Sequence, residues 1–315
     1  MIAILTGGTG GAKFVQGLAQ ILPAEELVVI VNTGDDLVWW GLNVSPDLDS
    51  ITYALAGVLS RERGWGVDGD TFECRNAMTG LGEPAWFQLG DRDLATHLVR
   101  TRLLREGCTL AEATRKITQG FGIRSTVLPM TDSTVETRVA TDHGELSFQE
   151  YFVRERFRPA VEGVRFAGAK AARPAPGVLE AIRSADAVLI APSNPITSIG
   201  PILGVHGIVD ELGQTPAPVV AVSPIVGNDA LSGPAGNLMR AQGLPVSIAG
   251  VAQAYRGFLD ALLVAPEDAT AAGVLEIKLH TTNILMRSNE DKRAVAREAL
   301  DVARWITRQA RVASV

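Results

Sequence analysis

Cysteine is scarce in this chain, with Cys74 and Cys108 the only two among 315 residues. Two cysteines build neither a disulfide framework nor a thiolate metal cluster. Cys108, in G-C-T-L, reads as a small buried residue ahead of a helix rather than a reactive thiol. Basic charge is not in excess. With 29 Lys and Arg against 35 Asp and Glu, the formal net charge is −6, which argues against the broad basic footprint of a nucleic-acid binder. No apolar run reaches the length of a bilayer span. The opening M-I-A-I-L-T-G-G lacks the basic lead and small-residue cleavage site of a signal peptide. The expectation is a cytoplasmic protein with no membrane partner. No low-complexity tract, internal repeat or clear linker divides the chain, and no Cys–His or Ser–His pattern marks a covalent nucleophile.

Apolar runs that end in polar turns are what the sequence does contain. The run A-V-L-I-A at 187–191 has the unbroken character of a strand covered on both faces. After it comes S-N-P-I-T-S-I-G-P-I-L at 193–203, where two prolines forbid a continuing ladder and Ser193, Asn194, Thr197 and Ser198 supply hydroxyl and amide groups. In open α/β sheets, ligands bind beyond the carboxyl ends of strands, and N–H groups ahead of a helix suit phosphate oxygens.

The N-terminus repeats this grammar. Ile2–Thr6 reads as a strand, T-G-G-T-G-G-A-K at 6–13 as a glycine-rich crossover, residues 12–21 as a helix and Leu27–Val31 as a second strand. Gly8, Thr9, Gly10, Gly11 and Lys13 are the candidate phosphate contacts of this unit. The turn lacks the GK[ST] ending of a P-loop, and Lys13 stands where a dinucleotide fingerprint has its third glycine, which weakens an NAD-binding reading. Asp35 and Asp36 follow in N-T-G-D-D. Asp47 and Asp49 follow in S-P-D-L-D-S, where Ser45 and Pro46 start a helix. Acids in a first turn also complement the helix dipole. Four aspartates gathered at one sheet edge nonetheless suit Mg²⁺ carrying a diphosphate, held through one or two carboxylates.

Beyond residue 60 the pattern turns helical. Asp91 is placed to cap a helix whose Leu94, Leu98, Thr101 and Leu104 recur at helical spacing, with Arg92, Asp93 and His97 near its start. A lone histidine there is read as structural. Residues 138–149 flank D-H-G as a hairpin, and five basic side chains within 152–172 form a solvated face or help balance a phosphorylated ligand. Apolar runs at 219–222, 246–249 and 262–264 read as later strands. The loop S-P-I-V-G-N-D-A-L-S-G-P-A-G at 223–236 adds Gly227 and Asn228 to the candidates, and an amphipathic helix over 291–312 ends the chain. The fold class expected is α/β, a Rossmann-like doubly wound and mostly parallel sheet. It is built from about residues 1–60 and 176–315, with an inserted helical and β-hairpin cap over about 61–175.

Taken together and in order, T-G-G-T-G-G-A-K, N-T-G-D-D, S-P-D-L-D-S, L-G-D-R-D-L-A-T-H (89–97), L-P-M-T-D (128–132), A-P-S-N-P-I-T-S-I-G-P-I-L (191–203) and the 223–236 loop resemble the CofD-like 2-phospho-lactate transferases of coenzyme F-420 biosynthesis. The resemblance implies a Mg²⁺-dependent transfer from a guanosine diphosphate that carries a lactyl or enolpyruvyl group on its terminal phosphate. The acceptor would be the terminal ribityl hydroxyl of the deazaflavin Fo, with GMP released, and the protein would be a homodimer. It also implies that Asp49 and Gln88, the residue before L-G-D-R-D, contact the deazaflavin, with Asp91 and Arg92 close by. On this reading Asp49, Asp35 and Asp36 are the catalytic candidates, and Asp49 and Asp47 the metal ligands. A nucleotide-sugar-binding regulator of the related gluconeogenesis-factor group is the competing reading, and an NAD-dependent oxidoreductase is a third.

Overall fold

Runs such as I-A-I-L-T and L-V-V-I-V carry no polar alternation because both of their faces are covered. The computed structural model describes residues 1–231, 233–273 and 277–313. In it these runs are the strands Ile2–Thr6 and Leu27–Val31, with every residue buried. They belong to a seven-stranded, wholly parallel sheet ordered Lys278–Thr281, Ala261–Val264, Val219–Val222, Ala187–Ile190, Ile2–Thr6, Leu27–Val31, Thr126–Pro129. Period-two alternation sends Ala3, Leu5, Val188 and Ile190 to one core and Ile2, Ile4, Ala187 and Leu189 to the other. Helices Gly8–Ala19 and Asn289–Ala313 close the second core through Phe14, Leu18, Val295 and Ala299. Helices Val178–Arg183, Ile208–Gln214 and Ile248–Ala254 close the first through Ile182, Leu212 and Val251. The result is the doubly wound α/β arrangement.

The chain begins in the middle of the sheet and builds outward to one edge. It then returns to start the other half with Ala187–Ile190, which pairs Leu5 with Ile190. Strand order therefore reverses between Ile2–Thr6 and Ala187–Ile190. At such a switch point the connections leave in opposite directions and open a crevice. Residues 7–11 and 192–198, far apart in sequence, are the two lips of that crevice.

Three elements depart from the sequence reading. Residues 246–249 form no strand: Ser247 is extended and the helix Ile248–Ala254 starts behind it. Four residues are too few for periodicity to separate a strand from a buried helix. The first helix begins at Gly8, so the glycines themselves make its opening turn. Thr126–Pro129 is an edge strand of the main sheet, although it lies within the stretch read as a cap. The rest of that stretch folds as helices Glu73–Gly80, Asp93–Arg105 and Leu110–Gly120 with a small antiparallel sheet of Gly144–Ser147, Glu136–Thr141 and Val161–Ala167. Among the described residues, no helix is long and apolar enough to cross a membrane.

Candidate active site

The lips of the crevice approach so closely that side chains are excluded from them. A Cβ on Gly10 would stand 2.5 Å from the Pro192 carbonyl oxygen, and one on Gly11 would stand 2.0 Å from Thr6 Oγ1 and 2.8 Å from Ser193 Oγ. Ser193 ties the lips together, its hydroxyl donating to Gly7 O (2.6 Å) and accepting from Gly7 N (3.3 Å). Asn194 caps the turn that follows, its Oδ1 accepting from the N–H groups of Ile196 (2.9 Å) and Thr197 (3.4 Å). Asp47, in the first turn of helix Pro46–Leu55, accepts from Gly8 N (2.8 Å) and Asn32 Nδ2 (2.9 Å). Asn32 Nδ2 also reaches Thr197 O (3.3 Å), while its Oδ1 accepts from Gly34 N (2.8 Å). Asn32 thus joins three segments into one polar floor, a role that its position in N-T-G-D-D does not disclose.

Above this floor lies a cavity of about 440 Å³, within the usual range for small-molecule sites. Gly8, Thr9, Gly10, Asp35, Asp47, Asp49, Ser193, Asn194, Thr197 and Ser198 line its polar side, and Gln88 lines it from an exposed position. Asp49 and Asn194 therefore share one cleft. The lining also includes the aromatic and aliphatic side chains Tyr53, Trp65, Phe87, Leu89, Phe148, Phe152 and Leu231. Phe148 and Phe152 stack at 5.5 Å between ring centres, and Phe152 continues onto Phe157 at 6.0 Å.

Other candidates have different roles. Gly11 packs beneath the floor against Thr6 and Ser193. Asp36 faces a neighbouring cavity of about 270 Å³ with Trp39 and Trp86, and accepts from the Ser45 hydroxyl (2.6 Å). Lys13 is exposed beside Lys292 and does not line the cavity. Asp91 caps helix Glu73–Gly80, accepting from the N–H groups of Glu73 and Cys74 (both 2.9 Å) and from the Thr71 hydroxyl (2.6 Å). It does not cap Asp93–Arg105, and it leaves the ligand side. Arg92 is exposed and donates to Asp68 O (3.0 Å). The N–H of Gly227 is taken by Asp268 (3.0 and 3.2 Å), and Asn228 is exposed in the hairpin turn. That loop presents Leu231, Gly233 and Pro234 to the cavity instead, and Ser232 lies outside the described residues.

Helix Asp93–Arg105 brings Asp93 and His97 to the cavity, as expected of its ligand-facing start, but the sequence did not single out Arg100. Leu98 and Val99 are 57% and 40% exposed, whereas Asp93, His97 and Arg100 are buried. Arg100 donates from Nη1 to Asp49 Oδ2 (3.1 Å) and from Nη2 to Asp49 Oδ1. His97 stands between Asp49 (3.5 Å) and Asp93 (3.3 Å), and the Tyr53 hydroxyl donates to Asp93 (2.6 Å). Burial raises the Asp93 carboxyl, but His97, Tyr53 and Arg100 outweigh it and hold the group below its usual value. Burial would release the Arg100 proton, and Asp49 more than offsets this.

Burial, together with Asp47 and Asp36, pushes Asp35 well up, and burial likewise raises Asp36. Asp47 rises from 3.8 to about 6, chiefly through burial. Such an acid binds its proton more tightly folded than unfolded, so its stabilising contribution is complete below about 3.8 and gone above about 6. Urea unfolding should accordingly show stability rising as pH falls from 7 to 5. In Asp47→Asn that rise should shrink by about 1.4 kcal/mol, since about one unit of the shift is expressed between pH 7 and pH 5 and one pKa unit is worth about 1.4 kcal/mol. An undiminished slope would remove Asp47 as its source.

Asp35, Asp47, Asp49 and Asp93 line the cavity, and among the described residues no Lys or Arg does. Asp35 Oδ1 is buried without a hydrogen-bond partner, as is Thr197 Oγ1. These donors fit a divalent cation that brings its remaining ligands with it. Among the described residues, no three His, Cys, Asp or Glu side chains form a metal cage, and Mg²⁺ characteristically takes one or two carboxylates plus phosphate and water. Asp49 fits less well than its neighbours, because Arg100 holds both of its oxygens.

Comparison with known proteins shows the family of the chain. The profile of the 2-phospho-L-lactate transferase CofD family matches residues 2–304. The chain is 43% identical over 296 residues to a 2-phospho-L-lactate transferase of Methanosarcina mazei, covering 93% of this chain and 97% of the relative. It is 42% identical over 311 residues to a phosphoenolpyruvate transferase of Streptomyces griseus, covering 96% and 98%. A crystal structure of a UPF0052 family member from Bacillus halodurans superposes with a TM-score of 0.67 at 17% identity, over 95% of this chain and 99% of that one; this likeness shows the fold alone. The doubly wound sheet, its switch-point cavity and these relationships together make the chain a member of the CofD 2-phospho-L-lactate transferase family, a transferase of phosphate-containing groups.

Proposed function

We propose that the protein transfers a phospho-lactyl or phospho-enolpyruvyl group from a guanosine-diphosphate-linked donor to the ribityl hydroxyl of the deazaflavin Fo. The products are (dehydro) coenzyme F-420-0 and GMP. The observation that carries this reading is a single cavity whose lining combines the glycine turn and the hydroxyl-rich loop with several aromatic side chains. A diphosphate suits the first and a flat tricycle the second.

Displacement at phosphorus demands alignment and charge neutralisation more than a covalent protein group. The N–H groups of Thr9 and Gly10 and the hydroxyls of Thr197 and Ser198 orient the diphosphate, on a turn held by Ser193 and Asp47. Asp49 accepts the hydrogen bond of the ribityl hydroxyl and aims its oxygen at the phosphorus next to the organic acid. The new O–P bond forms as the bond to the bridging oxygen breaks; GMP departs with that oxygen and the hydroxyl proton is released to solvent. Mg²⁺, when bound, supplies the positive charge that the cavity's side chains lack. Asp35 and Asp47 would hold it, with Asp36 behind them.

Relatives named for phospholactate and for phosphoenolpyruvate stand at nearly equal identity, so the organic acid must be settled by chemistry. The test incubates the protein with Fo, Mg²⁺ and each guanylyl donor, then weighs the product. The expected result is Fo plus one phospho-acid unit, with GMP in equal amount. Fo binding without product from any donor would contradict the transfer, as would NAD reduction. Light scattering of the same sample tests the homodimer that the family resemblance implies.

A further inference from the structure

Arg100 belongs to none of the sequence motifs' ligand sets, and it lies behind the cavity rather than in its lining. It is 1% exposed and among the largest fully buried side chains of the molecule. A buried guanidinium is costly unless it is paired and hydrogen-bonded. Here the cost is met in one way: both of its terminal nitrogens grip both oxygens of Asp49, and Nη1 also lies 3.4 Å from His97 Nδ1. The facing helices make this grip possible. Asp93, His97 and Arg100 fall at i, i+4 and i+7 on one, and Asp49 and Tyr53 at i and i+4 on the other.

We propose that Arg100 is a positioning residue that acts through Asp49. This rests on the reading in which Asp49 receives the acceptor hydroxyl. The fork fixes the plane of the Asp49 carboxylate, so the lone pairs left to the cavity point in one direction. A lysine keeps the charge but not the fork. His97 stands beside the same Asp49 oxygen that Arg100 Nη1 holds, 3.5 Å from it, and 3.3 Å from Asp93.

The test compares wild type, Arg100→Lys and Arg100→Ala in the presence of Mg²⁺. It uses steady-state kinetics for donor and acceptor, Fo fluorescence for acceptor binding and circular dichroism for folding. A 1 Å misplacement of a reacting group costs roughly 100-fold in rate. Arg100→Lys should therefore lose about that much kcat, with the KM for the donor within about threefold of wild type, because Arg100 bonds to Asp49 and to neither of the two lips that take the donor. Added guanidinium ion should return part of the kcat of Arg100→Ala, since the void it leaves adjoins the cavity. A merely structural arginine would give folded Arg100→Lys protein with wild-type kcat, and guanidinium without effect on the rate of Arg100→Ala; that pair of results overturns the proposal. Should Arg100→Ala not fold, Arg100→Gln replaces it, and equal turnover in Arg100→Gln and wild type is again the overturning result. A wild-type protein that makes no product from Fo and any guanylyl donor overturns the transferase reading, and this proposal with it.

Discussion

Asp49→Asn should lower turnover roughly 10³-fold, within the 10²–10⁴ range of a positioned proton-handling group. The loss should appear in kcat with every guanylyl donor, because on this reading Asp49 receives the acceptor hydroxyl that is common to all of them. The fold pays as well. Breaking a buried pair by removing one charge typically costs about 3–5 kcal/mol, and asparagine, which still offers Arg100 one oxygen, should fall at the lower end. Thermal unfolding followed by circular dichroism should show a drop of several degrees, with a native spectrum at assay temperature. Turnover within tenfold of wild type in this variant would remove Asp49 from the chemistry.

Gly10→Ala should be nearly as damaging by a different route. Its Cβ would stand 2.5 Å from the Pro192 carbonyl oxygen, and that atom is backbone, so the two lips must separate. The glycine turn would then lose its place beside Ser193, whose hydroxyl grips Gly7 on both its N–H and its C=O. The expectation is a fall in kcat/KM for the donor of about 100-fold, a stability loss of about 1–3 kcal/mol and unchanged Fo binding by fluorescence. Gly80→Ala is the matched control, since nothing lies within 4 Å of its added Cβ. Equal kinetics in the two variants would contradict the close-approach account of the glycine turn.

What the sequence disclosed and what it hid divide along the range of the interactions. Apolar runs such as 27–31 and 187–190 name themselves as buried strands, because both of their neighbours are sheet or helix whatever the topology. The polar turns that leave them predict a shared rim once the sheet is parallel, and Asp49 and Asn194 indeed line one cavity. Helix Asp93–Arg105 was read in part: Asp93 and His97 at its start do line the cavity, but the stripe was drawn through Leu98 and Arg100 was passed over. Its leucines imitate a core stripe, yet Leu98 is 57% exposed while Arg100 is buried, because the charges that balance Arg100 and His97 come from a helix some 50 residues away. Asp91 shows the same limit: a local rule assigns it to the helix that starts beside it, and the chain brings Glu73 and Cys74 to it instead. Gly227 was read as a free N–H, and Asp268, 41 residues on, had already taken it.

The most direct test of the account is a crystal structure of the protein with Fo, GDP and Mg²⁺. It predicts the diphosphate against the N–H groups of Thr9 and Gly10, and the ribityl hydroxyl within about 2.6–3.2 Å of Asp49. A diphosphate seated away from that turn, or an Asp49 facing no substrate, would contradict it.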